Sequence, residues 1–318
     1  MNAPVQPVLR PQLQLLSPAT EGAGKRALVT GLAGFTGQYV AAELRAAGYR
    51  VTGTTVPGHG NESEDMLAVD LTDRASVAAM VQQVQPDVVV HLAAIAFVAH
   101  ADIEQIYRVN VVGTRNLLEA LAALAKKPSA VLLASSANIY GNADLPILGE
   151  DVAPAPANDY AVSKLSMEYM ARLWMDKLPI IITRPFNYTG VGQHENFLLP
   201  KIVAHFRRKA ADIELGNLHV WRDFSDVRMV AAAYRSLLAQ APAGQTFNIC
   251  SSTGYSLGEA LDMMGRIAGY QINVHVNPAF VRANEVVRLV GDNSRLAGVV
   301  GQIVPLPLEQ TLRWMYEA

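Results

Sequence analysis

The chain has 318 residues, 51% of them hydrophobic, and a formal net charge of -2 at pH 7. That length supports a full α/β core with a smaller appended region, and the near-neutral balance provides no basic field for tracking a nucleic-acid backbone. A single cysteine, Cys250, excludes an internal disulfide framework and a thiolate metal cluster, and its usage suits a reducing cytoplasm. The longest apolar run, residues 88–99, is interrupted by His91 and is too short to span a bilayer. Neither a metal, a nucleic acid nor a membrane is expected as a partner.

Residues 1–24 carry Pro4, Pro7, Pro11 and Pro18 and are expected to form a flexible extension. Beyond them, short apolar runs at 27–30, 51–55, 88–92 and 130–134 alternate with helix-like stretches at 40–47, 77–84 and 107–124. Buried strands alternating with amphipathic helices imply βαβ units, hence a doubly wound parallel sheet of Rossmann type with helices on both faces. After Asn187 the alternation weakens, then resumes with a helix-like 227–238, a strand-like 246–250 and a helix-like 257–267. Residues 25–185 and about 226–254 are therefore expected to build the sheet-bearing domain. Residues 186–225 and about 255–318 are expected to form a smaller, discontinuous cap, with Pro305 and Pro307 ahead of its last helix.

The strand at 27–30 runs straight into Gly31-Leu-Ala-Gly34-Phe35-Thr36-Gly37 and then a helix. Gly31 can supply a tight turn, Gly34 a close backbone approach to a pyrophosphate, and Gly37 close packing of helix on strand, with the helix amides facing the anion. The spacing G-x-x-G-x-x-G departs from the common G-x-G-x-x-G fingerprint, and an ordinary structural turn is the competing reading. About 20 residues on, where a ribose-binding carboxylate is expected, the chain reads Thr54-Thr55. No arginine replaces that carboxylate, so NADP(H) and NAD(H) both stay open. Asp70-Leu71 is a candidate for the adenine contact or, equally, for a helix N-cap.

Tyr160 and Lys164 stand at i, i+4 and share one helix face. A cation within a few Å of a phenol stabilises its phenolate and makes it a better acid-base group near neutral pH. Upstream, an apolar strand ends in Ser135-Ser136, where a parallel sheet presents side chains to a ligand at its carboxyl edge; helix capping is the alternative use of those hydroxyls.

Taken in order, Thr30 to Gly37, His91-Leu92-Ala93-Ala94, Asn110-Val-Val-Gly-Thr114, Ser135-Ser-Ala-Asn-Ile-Tyr-Gly141, Tyr160 to Lys164 and Arg184-Pro-Phe-Asn187 resemble the extended short-chain dehydrogenase/reductase family, the NAD-dependent epimerases and dehydratases. The C-terminal runs at 184–193, 215–217, 222–226, 282–285 and 291–292 look most like its GDP-4-keto-6-deoxy-D-mannose reductases and GDP-mannose 4,6-dehydratases. The resemblance implies Ser136, Tyr160 and Lys164 as the catalytic triad. It adds Leu92, Ala93, Ala94 and Asn110 to the cofactor-binding residues Gly31, Gly34, Phe35, Thr36, Gly37, Thr54, Thr55, Asp70 and Leu71, with Tyr160 and Lys164 reaching the cofactor as well. It also implies that Asn187, Lys201, Arg222, Arg282 and Glu285 line a nucleotide-diphosphate site, where the arginine forks suit phosphate.

By resemblance the chain is expected to reduce a ketone on a nucleotide-linked sugar and to pair as a homodimer through the helices at 107–124 and 160–174. Two rivals are a nucleotide-sugar 4-epimerase that keeps its cofactor bound and a non-catalytic dinucleotide sensor. Ala137 and Asn138 stand where the dehydratases carry a carboxylate, so water elimination is not expected.

Overall fold

The computed structural model describes residues 20–58, 65–96, 102–280, 286–301 and 305–318. Its thirteen strands within those residues are β1 Arg26–Thr30, β2 Arg50–Thr55, β3 Met66–Ala68, β4 Val88–His91, β5 Ala130–Ala134, β6 Ile180–Pro185, β7 Asn187–Thr189, β8 Asp212–Leu215, β9 Trp221–Asp226, β10 Thr246–Ile249, β11 Gly254–Ser256, β12 Asn273–Val276 and β13 Arg288–Leu289. The helices are α1 Phe35–Ala46, α2 Arg74–Val84, α3 Ile103–Tyr107, α4 Thr114–Ala123, α5 Asp159–Arg172, α6 Leu198–Arg207, α7 Val227–Gln240, α8 Leu257–Ala268, α9 Ser294–Val300 and α10 Leu308–Glu317.

Seven strands form one sheet in the order β10-β6-β5-β4-β1-β2-β3, every pair parallel. The apolar runs are continuous because both faces are covered and successive side chains point to opposite sides. Val29, Val88, Val90, Leu132 and Ile181 pack under α1 and α7, whereas Leu28, Val89, Val131, Leu133 and Ile182 pack under α2, α4 and α5. The chain order reverses between β1 and β4, so the carboxyl ends of these two strands open a crevice at Thr30 and His91. This is where a doubly wound sheet receives its ligand.

Over the carboxyl edge sits a second layer. Strands β11, β9, β13 and β7 form a small sheet, and α6, α8 and α10 enclose a separate core around Phe206, Leu261, Met264 and Leu312. Among the described residues no helix is long and apolar enough to cross a membrane.

Two local features differ from the expectation. The helix expected over 107–124 is broken by a π-helical stretch, Arg108–Gly113, between α3 and α4. Residues 20–24, grouped with the extension by sequence, are tied to the body: Gly22 N–H donates to the Ala47 carbonyl at 3.0 Å and Glu21 pairs with Arg235 at 2.8 Å. Proline content marked the segment as open chain, but Glu21 finds a cation that is distant in sequence. Residues 1–19 lie outside the described residues.

Candidate active site

A cleft of about 500 Å³ opens at the sheet reversal, between the glycine loop, the end of β5, the start of α5 and the chain from β6 to α6. Gly31, Gly34, Phe35, Thr36, Gly37, Leu92, Ala94, Ser136, Tyr160, Lys164 and Asn187 line it. Most of the residues singled out by sequence thus come together in one place.

The glycines are required by the local geometry. Gly31 has φ +72°, and a Cβ there would lie 2.9 Å from the Ala93 backbone; a Cβ on Gly37 would lie 2.4 Å from the Gly31 carbonyl oxygen. Gly34 is the N-cap of α1, and no side chain caps that helix end. Bare amides, backbone close to the cleft and the positive end of a helix fit the diphosphate of a dinucleotide. Thr54 serves this loop from below: its Oγ accepts the Gly31 N–H at 3.2 Å, and it does not line the cleft.

A chain of hydrogen bonds with one consistent direction fixes the floor of the reversal point. The Thr114 hydroxyl donates to the Asn110 carbonyl at 2.8 Å, so it must accept from His91 Nε2–H, also at 2.8 Å. His91 Nδ1 is then an acceptor and receives the Thr30 hydroxyl proton at 2.6 Å, while Thr30 Oγ accepts the Ala93 N–H at 3.3 Å. Burial, aided by the charge of Lys164, pushes the His91 pKa down to about 3, which keeps the neutral tautomer that this chain needs.

Asn110, on the π-helical stretch, exchanges bonds with Ile95 N–H (2.9 Å) and Ile95 carbonyl (3.2 Å) and donates to Ser163 Oγ at 3.0 Å. It thereby joins the loop after β4 to α5, the helix of Tyr160 and Lys164, without itself lining the cleft. Single π turns of this kind recur at functional sites because they re-aim one side chain.

Ser136 Oγ accepts from the Asn138 backbone N–H at 3.2 Å and from Asn138 Nδ2 at 3.1 Å. Tyr160 is 8% exposed, and burial drives its pKa up to about 12, opposed by a hydrogen bond with Ser136. Lys164 donates to the Ala134 carbonyl at 2.8 Å, and burial lowers its pKa to about 8 against the upward pull of Glu168. The spacing of Tyr160 and Lys164 suggested a phenol made more acidic; in the folded cleft desolvation outweighs the Ser136 hydrogen bond, and the phenol is harder to ionise than a free one. A protonated phenol beside a serine is arranged to donate.

Behind the cleft, Arg184 bonds Glu168 through Nε (3.0 Å) and Nη2 (2.7 Å), and Nη1 reaches Tyr140 Oη (2.9 Å) and the Glu150 carbonyl (3.0 Å). Tyr140 in turn donates to Asn248 Oδ1 at 2.7 Å. Burial alone would lower the Arg184 pKa, but Glu168 and Tyr140 reverse this and leave it raised. The network locks α5 to the end of β6 and to the turn that follows Ser136.

Other sequence candidates stand apart from the cleft. Asp70 Oδ1 accepts from both Thr72 N–H and Thr72 Oγ at 2.8 Å, and the N-cap of α2 is Asp73. Leu71 is a core side chain, and Thr55 and Ala93 lie outside the lining. Lys201 donates to the Glu214 carbonyl at 2.7 Å and lies 4.5 Å from the Phe280 ring, and Arg222 donates to its neighbour's Trp221 carbonyl at 2.9 Å; neither lines the cleft. Arg282 and Glu285 lie outside the described residues.

The cap also contributes Tyr188, Gln193, His194 and Phe197 to the lining. Tyr188 Oη is 2.8 Å from Thr36 Oγ and its ring stacks on Phe35 at 6.3 Å, joining β7 to the glycine loop across 152 residues of sequence. No local spacing signals a contact of that range.

Comparison with known proteins agrees with this geometry. A GDP-6-deoxy-D-talose 4-dehydrogenase from Aggregatibacter actinomycetemcomitans is 37% identical over 86% of this chain and 90% of its own length. A GDP-6-deoxy-D-mannose reductase from Pseudomonas aeruginosa is 33% identical over 91% and 95% respectively. Among solved structures, one from Burkholderia cenocepacia J2315 described as a candidate epimerase is 57% identical, covers 93% of this chain and 98% of that chain, and superposes with a TM-score of 0.88. The chain matches the NAD dependent epimerase/dehydratase family over residues 27–250. With its glycine cradle, Ser136, Tyr160 and Lys164 gathered at one sheet edge, the chain belongs to that family and is an NAD(P)-dependent enzyme of the extended short-chain dehydrogenase/reductase type.

Proposed function

We propose that the protein reduces the ketone of a 4-keto-6-deoxy sugar carried on a nucleoside diphosphate, most simply GDP, with Tyr160 as the proton donor. The observation that carries this is the pairing of a buried phenol with Ser136 at the floor of a cleft whose described lining contains no Asp or Glu. Tyr160 delivers its proton to the carbonyl oxygen, Ser136 donates to the phenol oxygen as that proton leaves, and Lys164 steadies the phenolate that remains. A dinucleotide whose diphosphate rests on the glycine loop would supply the hydride from its reduced nicotinamide. The two GDP-6-deoxy-sugar enzymes named above support the choice of substrate.

The same lining argues against dehydration. Removing water beside the ketone needs a base for a carbon acid, and Ala137 and Asn138 provide none; Glu195 is engaged by Arg208 at 2.8 Å and lies outside the lining, and His194, which lines the cleft, has its Nδ1 lone pair taken by the Asn196 N–H at 3.1 Å, leaving the ring proton of the neutral imidazole on Nε2. Offered GDP-4-keto-6-deoxy-mannose and NADPH, the protein is expected to oxidise the cofactor in step with formation of a single 4-hydroxy product. Offered GDP-mannose and catalytic cofactor, it is expected to make no 4-keto-6-deoxy product above a no-enzyme control. A product in the second assay, or no cofactor oxidation in the first, overturns the reading. The 4-epimerase alternative predicts co-purified nicotinamide and turnover that is indifferent to added cofactor.

A homodimer accompanies the proposal. Ile103 on α3, Val112 on the π-helical stretch, and Tyr169 and Leu173 at the end of α5 are all exposed, Leu173 at 76%, and leave apolar surface on the two helical segments that flank the cleft. The mass in solution is expected to be that of two chains and to fall to one in Leu173→Glu. A wild type that sediments as one chain excludes this pairing.

A further inference from the structure

We infer that Asn138 is a positioning residue for proton delivery: its amide fills the acceptor side of Ser136 Oγ, so that the serine's single proton is directed toward the Tyr160 phenol. The inference rests on the proposed ketone reduction and concerns how this chain commits its serine.

A hydroxyl has one proton to give and two lone pairs to receive. Ser136 Oγ receives two donors, the Asn138 backbone N–H at 3.2 Å and Asn138 Nδ2 at 3.1 Å. With both lone pairs engaged, the Oγ–H is the only bond left to make. Ser136 is 5% exposed and lines the same cleft as Tyr160, with which it hydrogen-bonds. A phenol oxygen that accepts the serine proton has its own proton available for the substrate. The order Asn138 amide, Ser136 hydroxyl, Tyr160 phenol, ketone oxygen is therefore a chain of donors pointing one way, and each donor polarises the next. The Ser136 bond to Tyr160 acts on the phenol against the effect of burial, as a hydroxyl donating to the phenol oxygen does.

The geometry around Asn138 supports a dedicated role. Ser136 is the N-cap of the short 3₁₀ turn Ala137–Tyr140, and the backbone bond alone suffices for capping, since one acceptor satisfies one orphan amide. The side-chain bond is additional. Asn138 is also a half-buried residue in the lining of the cleft, on the same turn that carries Tyr140 into the Arg184 network, so its position is held from behind. A carboxylate at this place would do the reverse: it cannot donate, and it would draw the serine proton away from the phenol.

Two variants separate this from a structural role. Asn138→Ala keeps the backbone cap and removes only the side-chain donor, and is expected to lower kcat by about threefold to tenfold, the range of one neutral hydrogen bond. Asn138→Asp is nearly the same shape and is expected to lower kcat by about 10–100-fold at pH 8, a part of the full general-acid contribution. Its activity relative to wild type should recover as pH falls through the aspartate's titration, where the protonated acid can donate again; Asn138→Ala should show no such recovery. KM for the ketone, cofactor affinity measured by calorimetry and the melting temperature should stay within about twofold or a few degrees in both. Wild-type activity on the ketone is measured first, and an inactive wild type overturns the substrate reading on which the inference rests. With an active wild type, an Asn138→Asp enzyme within twofold of it at pH 8 overturns the inference alone. So does a loss carried by KM, or a pH profile shared by the two variants.

Discussion

Tyr160→Phe is expected to lower turnover by about 10²–10⁴-fold while leaving cofactor affinity nearly unchanged. The substitution keeps a ring that is 8% exposed and removes only the hydroxyl, so packing is preserved and the proton donor is lost. The wild type carries a second signature. Its phenol stays protonated up to about 12, whereas the ammonium of Lys164 is lost as pH rises through about 8. Reduction should therefore fall on the alkaline side of pH 8 through Lys164 and not through Tyr160, because the phenolate formed at each turnover then lacks its cation. Stopped-flow oxidation of NADPH across pH 6–10 reads both effects. A Phe variant with near-normal turnover removes Tyr160 from the chemistry.

Glu168→Gln is expected to cost about 3–5 kcal/mol of stability, the usual consequence of leaving one member of a buried ion pair without its counter-charge. Arg184 and Glu168 side chains are 4% and 1% exposed and share two bonds, so water cannot replace the lost carboxylate. Denaturant unfolding at constant m-value measures this, and a loss below about 1 kcal/mol contradicts it. Glu168→Leu combined with Arg184→Met should recover most of the loss, since removing both charges abolishes the desolvation that each required. The single variant also tests the link from this network to the cleft. Glu168 raises the Lys164 pKa, so Glu168→Gln should shift the alkaline limb of the activity profile to lower pH. An unchanged limb in a folded Gln variant shows that the pair is structural only.

Much of the fold could be read from the chain itself, for a physical reason. Strands buried on both faces have to be apolar at every position, and helices that cover them have to be amphipathic, so 27–30, 88–92 and 130–134 announce a parallel sheet before any contact is known. The glycine loop is legible for a similar reason, because Gly31 and Gly37 occupy positions where a Cβ would meet backbone, and a substitution there is costly. The spacing of Tyr160 and Lys164 needs only the pitch of one helix. The break at Arg108–Gly113 was not legible, since a π turn conserves the apolar pattern on either side and differs only in how the backbone amides pair.

Sequence alone thus determined the sheet, the turn at its reversal point and the residue types available at the carboxyl edge. What the tertiary structure decided is which of those residues share a space and in what state of charge. Thr54 and Asn110 act from beneath and beside the cleft, and Lys201 and Arg222 turn to backbone carbonyls outside it, because their partners are contributed by segments far away in sequence or by the fold's own strand ends. Tyr188, Gln193 and Phe197 arrive from the cap, whose position over the sheet no local pattern encodes. The protonation of the site belongs to this second level as well. The neutral His91, the Tyr160 phenol made harder to ionise and the Lys164 ammonium shifted toward neutrality are all consequences of desolvation, and desolvation exists only once the sheet, α5 and the cap have closed around the same few side chains.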